Sequence, residues 1–259
     1  MSDLIDTHAH LDSDQFGADL PEVLRRATAS GVSAMVAVGI TAISSRGCVD
    51  LAENYPFLYS TVGIHPNEIT ESAPGDWDRI VALASSPRVV GIGETGLDRH
   101  WDRTPFATQE EWFVRHLELG RLLDRAVVIH CREADADMLR VLREQFDQHG
   151  PIRGVMHSFA DSEEFAESCL GMGLHVSFSG MLTYKSAADL RAVAAMVPDA
   201  RVLVETDCPY LSPVPLRGKR NEPGNVVHTA RCLAEQRGVT LDRLAEMTSR
   251  NASELFRIG

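Results

Sequence analysis

The sequence predicts an α/β fold, a (β/α)₈ barrel in one domain spanning residues 1–259. Three observations carry this. Short apolar, β-branched runs recur along the whole chain, helical patterns separate them, and histidines and carboxylates follow the runs at their C-terminal ends. The eight runs are Leu4–Thr7, Val32–Gly39, Leu58–Ile64, Val89–Gly93, Ala126–Ile129, Gly154–Met156, His175–Phe178 and Arg201–Val204. They are nearly continuous rather than alternating, as strands buried on both faces must be. Between them, Gln109–Leu123 places Trp112, Phe113, His116, Leu119 and Leu123 on one helical face, and Ala134–Phe146 does the same with Met138, Leu139, Leu142 and Phe146. Gly31 and Gly150 fall just past helical patterns, where a residue of positive φ ends a helix. Alternating strands and helices give a parallel sheet with right-handed crossovers, and eight of each suit closure. The competing open, doubly wound sheet calls for a Gly-rich phosphate loop after its first strand. Here that strand ends in His8-Ala9-His10.

Composition narrows the class. Hydrophobic residues make up 44% of the chain, enough for one large core, and no low-complexity tract or linker divides it. No apolar run approaches the ~20 residues that span a bilayer. The opening Met1-Ser2-Asp3-Leu4-Ile5-Asp6 lacks a basic stretch followed by a long apolar one, so no signal peptide is expected. The cysteines Cys48, Cys131, Cys169, Cys208 and Cys232 are scattered and form no CxxC pair, which points to a reducing cytoplasm rather than a disulfide framework. A formal net charge of −12 disfavours a broad basic face for nucleic acid. A polyanionic substrate would have to be met locally, by metal ions or a small basic patch.

The polar residues gather at one kind of position. Strand one runs into His8 and His10, strand three into His65, strand four into Glu94, strand five into His130, strand six into His157 and strand eight into Asp207. In a barrel these strand ends ring one mouth, where active sites sit. His8 and His10 are two apart, so an extended backbone aims both imidazoles the same way, as two ligands of one ion require. Imidazoles with carboxylates suit zinc, manganese, cobalt or iron, whereas magnesium prefers oxygen ligands alone. Four histidines and two carboxylates exceed one tetrahedral shell and suit two ions, with Glu94 placed to bridge them. Two such ions activate water and clamp an ester or phosphate oxygen. Asp207 is positioned to ligate one and to orient or deprotonate that water.

Asp6-Thr7-His8-Ala9-His10-Leu11-Asp12, Gly63-Ile64-His65-Pro66, Gly93-Glu94-Thr95-Gly96-Leu97-Asp98, His130-Cys131-Arg132-Glu133-Ala134, Glu205-Thr206-Asp207-Cys208-Pro209-Tyr210-Leu211 and Pro215-Leu216-Arg217-Gly218-Lys219-Arg220-Asn221-Glu222-Pro223 resemble, in order and over essentially the whole chain, the TatD family of metal-dependent deoxyribonucleases. The resemblance implies a barrel with two divalent metal ions (Zn, Mn or Mg) and a nucleic-acid substrate, DNA above all, cleaved as by a 3′–5′ exonuclease. By position its ligands fall on His8, His10, Glu94, His130, His157 and Asp207. His65 matches a family histidine near the scissile phosphate, which implies phosphate contact or leaving-group protonation. The sequence departs after Asp98, where the family often has an aromatic residue and Arg99-His100-Trp101 stand instead.

Arg217, in the most basic run of the chain, and Arg132, just after His130, are the candidate phosphate contacts. Trp101 and Trp112 are candidates to stack on a base, with core packing the simpler role for Trp112. Related barrels hydrolyse amides, lactones or phosphotriesters, and many carry a lysine after strand four where Glu94 stands here. An acyl-ester substrate such as an aminoacyl-tRNA also remains open, as does a non-catalytic metal-binding role. No membrane association and no obligate protein partner are expected.

Overall fold

The computed structural model describes residues 3–259; Met1 and Ser2, which open the stretch read for a targeting signal, lie outside the described residues. Strands β1 (Leu4–Ala9), β2 (Val32–Val38), β3 (Leu58–Val62), β4 (Val89–Asp98), β5 (Ala126–Arg132), β6 (Gly154–Met156), β7 (His175–Phe178) and β8 (Val202–Val204) form one sheet in that order. Helices α1 (Leu20–Ala29), α2 (Ala42–Asn54), α3 (Asp76–Leu83), α4 (Phe106–Leu122), α5 (Asp135–His149), α6 (Glu163–Gly171) and α7 (Ala188–Met196) connect them, and α8 (Val226–Arg237) and α9 (Leu241–Phe256) follow β8. The pairs β3·β4, β4·β5, β5·β6 and β7·β8 are parallel. Ala9 bridges Cys208 in parallel, and the His10 amide donates to the Cys208 carbonyl at 2.8 Å, so the chain beyond β8 returns to β1. A parallel sheet in sequential order that closes on its first strand is a (β/α)₈ barrel, the predicted class.

Three strands run further than their apolar cores. β1 continues to Ala9, β4 to Asp98 and β5 to Arg132, so His8, Glu94, Asp98 and His130 are strand residues rather than loop residues. After a register shift between Ile92 and Thr95, which holds Glu94, the β4–β5 ladder carries on with Gly96 opposite His130 and Asp98 opposite Arg132. Hydropathy marks where a strand is buried in apolar surroundings, whereas backbone pairing persists past that point.

The chain packs as two compact units, one built from the N-terminal segment to Val36 with Ser158–Glu167 and Val176–Gly259, the other from Ala37–His157 with Ser168–His175. In the first, Phe16, Leu24, Phe178 and Phe256 are buried, and α9 contributes Leu244, Met247 and Leu255 to the core. Thr240 caps α9 by accepting the Arg243 amide on its hydroxyl. In the second, Val62, Ile64, Ile92 and Phe113 are buried where β3 and β4 meet α4. On α5 the buried face carries Met138, Val141, Leu142 and Gln145, while Leu139 and Phe146 are only half-buried, a small rotation from the predicted face. Gly31 and Gly150 have φ of 91° and 81°, as the positions after α1 and α5 require. No helix among the described residues is long and apolar enough to cross a membrane.

One buried histidine ties helix to strand just before the site. His116 on α4 accepts the Ile64 amide on Nε2 at 3.0 Å, and its Nδ1 pairs with the Trp112 carbonyl at 2.7 Å. Burial, with Arg115 alongside, pushes its pKa down to about 4. The folded value lies below the ordinary 6.5, so this contribution to stability is present above pH 6.5 and is lost as pH falls from there towards 4. Urea denaturation of metal-stripped protein should show about 2 kcal/mol of His116-dependent stability lost between pH 7 and pH 5. His116→Leu, which orphans the Ile64 amide, should cost roughly 2–3 kcal/mol at pH 7 and flatten that pH dependence.

Candidate metal centre

In the first unit, three sequence-predicted donors converge. His8 and His10 leave β1 on the same face, 0% and 9% exposed. Asp207 follows β8 in the left-handed region, at φ 57°. The two Nε2 atoms are 3.3 Å apart, and Asp207 Oδ1 lies 3.6 Å from that of His8 and 3.3 Å from that of His10. Backbone and buried polar groups fix this corner. The Asp207 amide donates to the His8 carbonyl at 2.9 Å. Asp6, inside β1, accepts the Thr206 amide on Oδ1 at 2.9 Å and the Thr206 hydroxyl on Oδ2 at 2.6 Å. The Asn221 side-chain amide donates to the carbonyls of Thr206 and Tyr210. Burial lifts the Asp6 carboxyl to about 8, against the hydrogen bonds from Thr206 and His8.

In the second unit, Glu94 is the focus. Its Oε1 lies 2.9 Å from His157 Nε2, 3.1 Å from His130 Nδ1 and 3.5 Å from His65 Nε2. His130 Nδ1 and His157 Nε2 are 3.4 Å apart. Burial raises the Glu94 pKa, but the facing His157 and His65 outweigh it and hold the carboxyl well below the usual range. His130 keeps a raised pKa against its own burial because carboxylates flank both of its ring nitrogens. Asp98 is the second of these. Its Oδ2 meets His130 Nε2 at 3.0 Å and the Asn67 side-chain amide at 3.0 Å, while Oδ1 accepts the His100 and Trp101 amides at 2.8 and 3.0 Å. With an ion bound beside Glu94 and His157, this pairing would keep the His130 proton on Nε2 and leave Nδ1 as the ligand atom. Gly96 makes the approach of β4 to β5 possible, since a Cβ there would stand 1.9 Å from the His130 carbonyl oxygen.

His65 is oriented the other way round. Its Nδ1 accepts the Asn67 amide at 3.1 Å, which leaves the proton on Nε2, facing Glu94. Burial, and then His130, pushes its pKa down to about 3, so the ring is a neutral N–H donor at any ordinary pH.

Both clusters fit divalent ions. Ligand atoms ~2.0–2.2 Å from one ion, at angles of ~90–110°, stand roughly 3–3.6 Å apart. The His8–His10–Asp207 triangle has edges of 3.3, 3.3 and 3.6 Å, and the Glu94–His130–His157 triangle edges of 2.9, 3.1 and 3.4 Å. Buried imidazoles and carboxylates in such triangles want positive charge between them.

The two candidate phosphate arginines take different surroundings. Arg217 lies with its guanidinium 3.8 Å from the centre of the Tyr184 ring, and Tyr184 senses the charges of both Arg217 and Asp207. Arg132 ends β5, exposed, 5.9 Å from the Trp101 ring. Neither forms an ion pair among the described residues. Arg220, from the same basic run as Arg217, is instead bound to Asp19 and Glu222 and anchors the loop. Trp112 packs edge-on against Trp77, which leaves Trp101 as the exposed tryptophan. Asp98, Asn67 and Asp6 are the contributors that patterning missed. The signal for Asp6 and Asp98 was an acidic residue inside, or at the end of, an otherwise apolar strand.

A family model described as TatD related DNase matches residues 5–257. The chain belongs to the TatD family. It is a metal-dependent hydrolase of that family, 39% identical to the metal-dependent hydrolase YabD of Bacillus subtilis over 98% of this chain and 99% of that one. It is 34% identical to the 3′-5′ ssDNA/RNA exonuclease TatD of Salmonella typhimurium over 98% of this chain and 99% of that one. Among solved structures, the TatD homologue YJJV of Escherichia coli superposes with a TM-score of 0.92 at 28% identity, covering 99% of this chain and 98% of that one. An Escherichia coli phosphotriesterase homology protein shares the fold, with a TM-score of 0.73 at 14% identity over 98% of this chain and 99% of that one.

For a family member whose chemistry runs on bound metal, the partner of a ligand matters nearly as much as the ligand. Asp98→Asn keeps the shape but weakens the hold on His130. Calorimetric titration of stripped protein should show affinity for one ion falling roughly 10- to 100-fold.

Proposed function

We propose that this chain is a two-metal nuclease that removes nucleotides from the 3′ ends of single-stranded DNA. The single observation that carries this reading is the pair of three-donor triangles built from strand-end histidines and carboxylates, His8–His10–Asp207 and Glu94–His130–His157. The C-terminal ends of barrel strands are where active sites sit, and both sets of donors lie at such ends. His8, His10 and Asp207 would hold one ion, and Glu94, His130 and His157 the other. When bound, the ions supply Lewis acidity towards the phosphodiester and the attacking water.

The chain's own groups do the rest. Asp207 orients the water and takes its proton, since a carboxylate at a strand end is within reach of the reacting centre. His65 offers its Nε2 proton to a phosphate oxygen. Its low basicity favours that contact over full proton transfer to the leaving group, and cations nearby would lower it further. Arg217 and Arg132, without ion pairs of their own among the described residues, supply the local positive charge that a chain of net charge −12 must concentrate at its site. The free cysteines support a reducing compartment such as the cytoplasm.

The test is direct. Stripped protein reloaded with Mg²⁺, Mn²⁺ or Zn²⁺ should ladder a 5′-labelled single-stranded oligonucleotide from its 3′ end and lose this with chelator. Asp207→Asn and Glu94→Gln should each lower kcat/KM by on the order of 100-fold or more while remaining folded. Loaded protein that leaves DNA and RNA intact but turns over an amide, lactone or aminoacyl ester would overturn the nuclease reading and keep the hydrolase. Metal occupancy should itself fall as pH drops below about 6, because protons compete for the imidazoles, and elemental analysis after dialysis across that range checks it.

A further inference from the structure

Trp101 is 47% exposed, whereas Trp77 and Trp112 pack on one another. Leaving an indole in water forgoes the burial that large apolar side chains usually find. The loop that carries it is nonetheless fixed. The Trp101 and His100 amides both bind Asp98 Oδ1, and the other oxygen of the same carboxylate holds His130. Gln109 closes the loop from behind, accepting the Asp98 amide on its side-chain oxygen and donating from its nitrogen to the carbonyls of Asp98 and Thr104. His100 meets the Trp101 ring edge to face and is itself held by Glu133.

Two guanidiniums flank the indole, that of Arg103 at 5.5 Å and that of Arg132 at 5.9 Å from the ring centre. Arg99 on Phe106 and Arg217 on Tyr184 lie at 3.7 and 3.8 Å, in direct stacking contact. Around Trp101 the guanidiniums lie over the ring but further off, at 5.5 and 5.9 Å, short of direct stacking. Arg99 is paired to Asp137 and Arg103 to Glu68, while Arg132 has no ion pair among the described residues. An exposed aromatic face next to free positive charge, on a rigid loop tied to a candidate metal ligand, fits an aromatic group that carries a phosphate.

We propose that Trp101, flanked by Arg103 and Arg132, is a base-stacking platform that seats a nucleotide beside the scissile phosphate and thereby selects single-stranded nucleic acid without base preference. The inference rests on the nuclease reading. Every base has a π-face, so stacking on indole tolerates any base. A base inside a duplex is already stacked on its neighbours and cannot use the platform without fraying. Arg132, two residues beyond His130, gives the same nucleotide a phosphate contact.

The test compares wild type, Trp101→Ala, Trp101→Phe and Arg132→Ala, all metal-loaded, on a single-stranded oligonucleotide and on one with an abasic 3′-terminal residue. Trp101→Ala should raise KM roughly 10- to 100-fold on the natural strand, with kcat much less affected, and Trp101→Phe should recover most of the loss. On the abasic strand wild type and Trp101→Ala should be alike, because the base that stacks is gone. Separately, an oligothymidine titrated into metal-free protein should quench a part of the tryptophan fluorescence that Trp101→Phe lacks. Equal KM for wild type and Trp101→Ala on the natural strand, or an equal loss on the abasic one, would overturn the platform while leaving the nuclease in place. A wild-type enzyme that neither cleaves nor binds oligonucleotides would remove both readings.

Discussion

Imidazole nitrogens and carboxylate oxygens face one another at about 3 Å in two buried triangles, and the local structure on each side is arranged to keep them there. Lone pairs at that separation repel unless a proton or a metal cation lies between them. Such groups would ordinarily turn out to water, but these are held inside by the backbone that bears them. The His10 amide is bound to Cys208, the Glu94 amide to Gly39 at a register shift of β4, and His130 lies opposite Gly96 beyond the apolar core of β5. The barrel supplies rigidity to residues whose mutual electrostatics favour dispersal, and divalent cations would be the charge that relieves them.

Asp98 shows how the chain uses one group for several tasks. A single carboxylate settles which nitrogen of His130 faces Glu94, receives Asn67 from the segment after β3, and gathers two backbone amides that shape the following loop. Orientation of a candidate ligand and presentation of Trp101 are thus set by the same atom pair. Asp6 plays a comparable part on the other unit, where its buried carboxyl ties Thr206, and with it Asp207, to β1. His65 is a third case. An amide donated to Nδ1 decides that it acts as a neutral donor, which bears directly on the chemistry it can perform.

The surface arginines divide according to their neighbours rather than their place in the sequence. Arg217 and Arg220 belong to one basic run, yet Arg220 is consumed by Asp19 and Glu222 while Arg217 rests on an aromatic ring without a carboxylate. Local positive charge in this acidic chain is therefore set by which guanidiniums the fold pairs with carboxylates, not by net composition.

Much of this protein was legible in its residues. Periodic burial writes itself into hydropathy, so the strands, their order of appearance and the fold class followed from the chain alone. The donors at the strand ends could be named because histidine and acid directly after an apolar run are out of place unless they do something there. What the pattern could not reveal was any relation between residues distant in sequence. Asn67 meets Asp98 across 31 positions, and Asp6 meets Thr206 across 200. The length of β4 and β5, the nitrogen that each histidine presents, the fate of Arg220 and the exposure of Trp101 all depend on such meetings. The sequence by itself determined which chemical groups are available and on which elements they lie, because those are local properties of the chain. Only the tertiary structure decided which atoms face each other, because hydrogen bonding and ion pairing are settled by the path of the backbone between them.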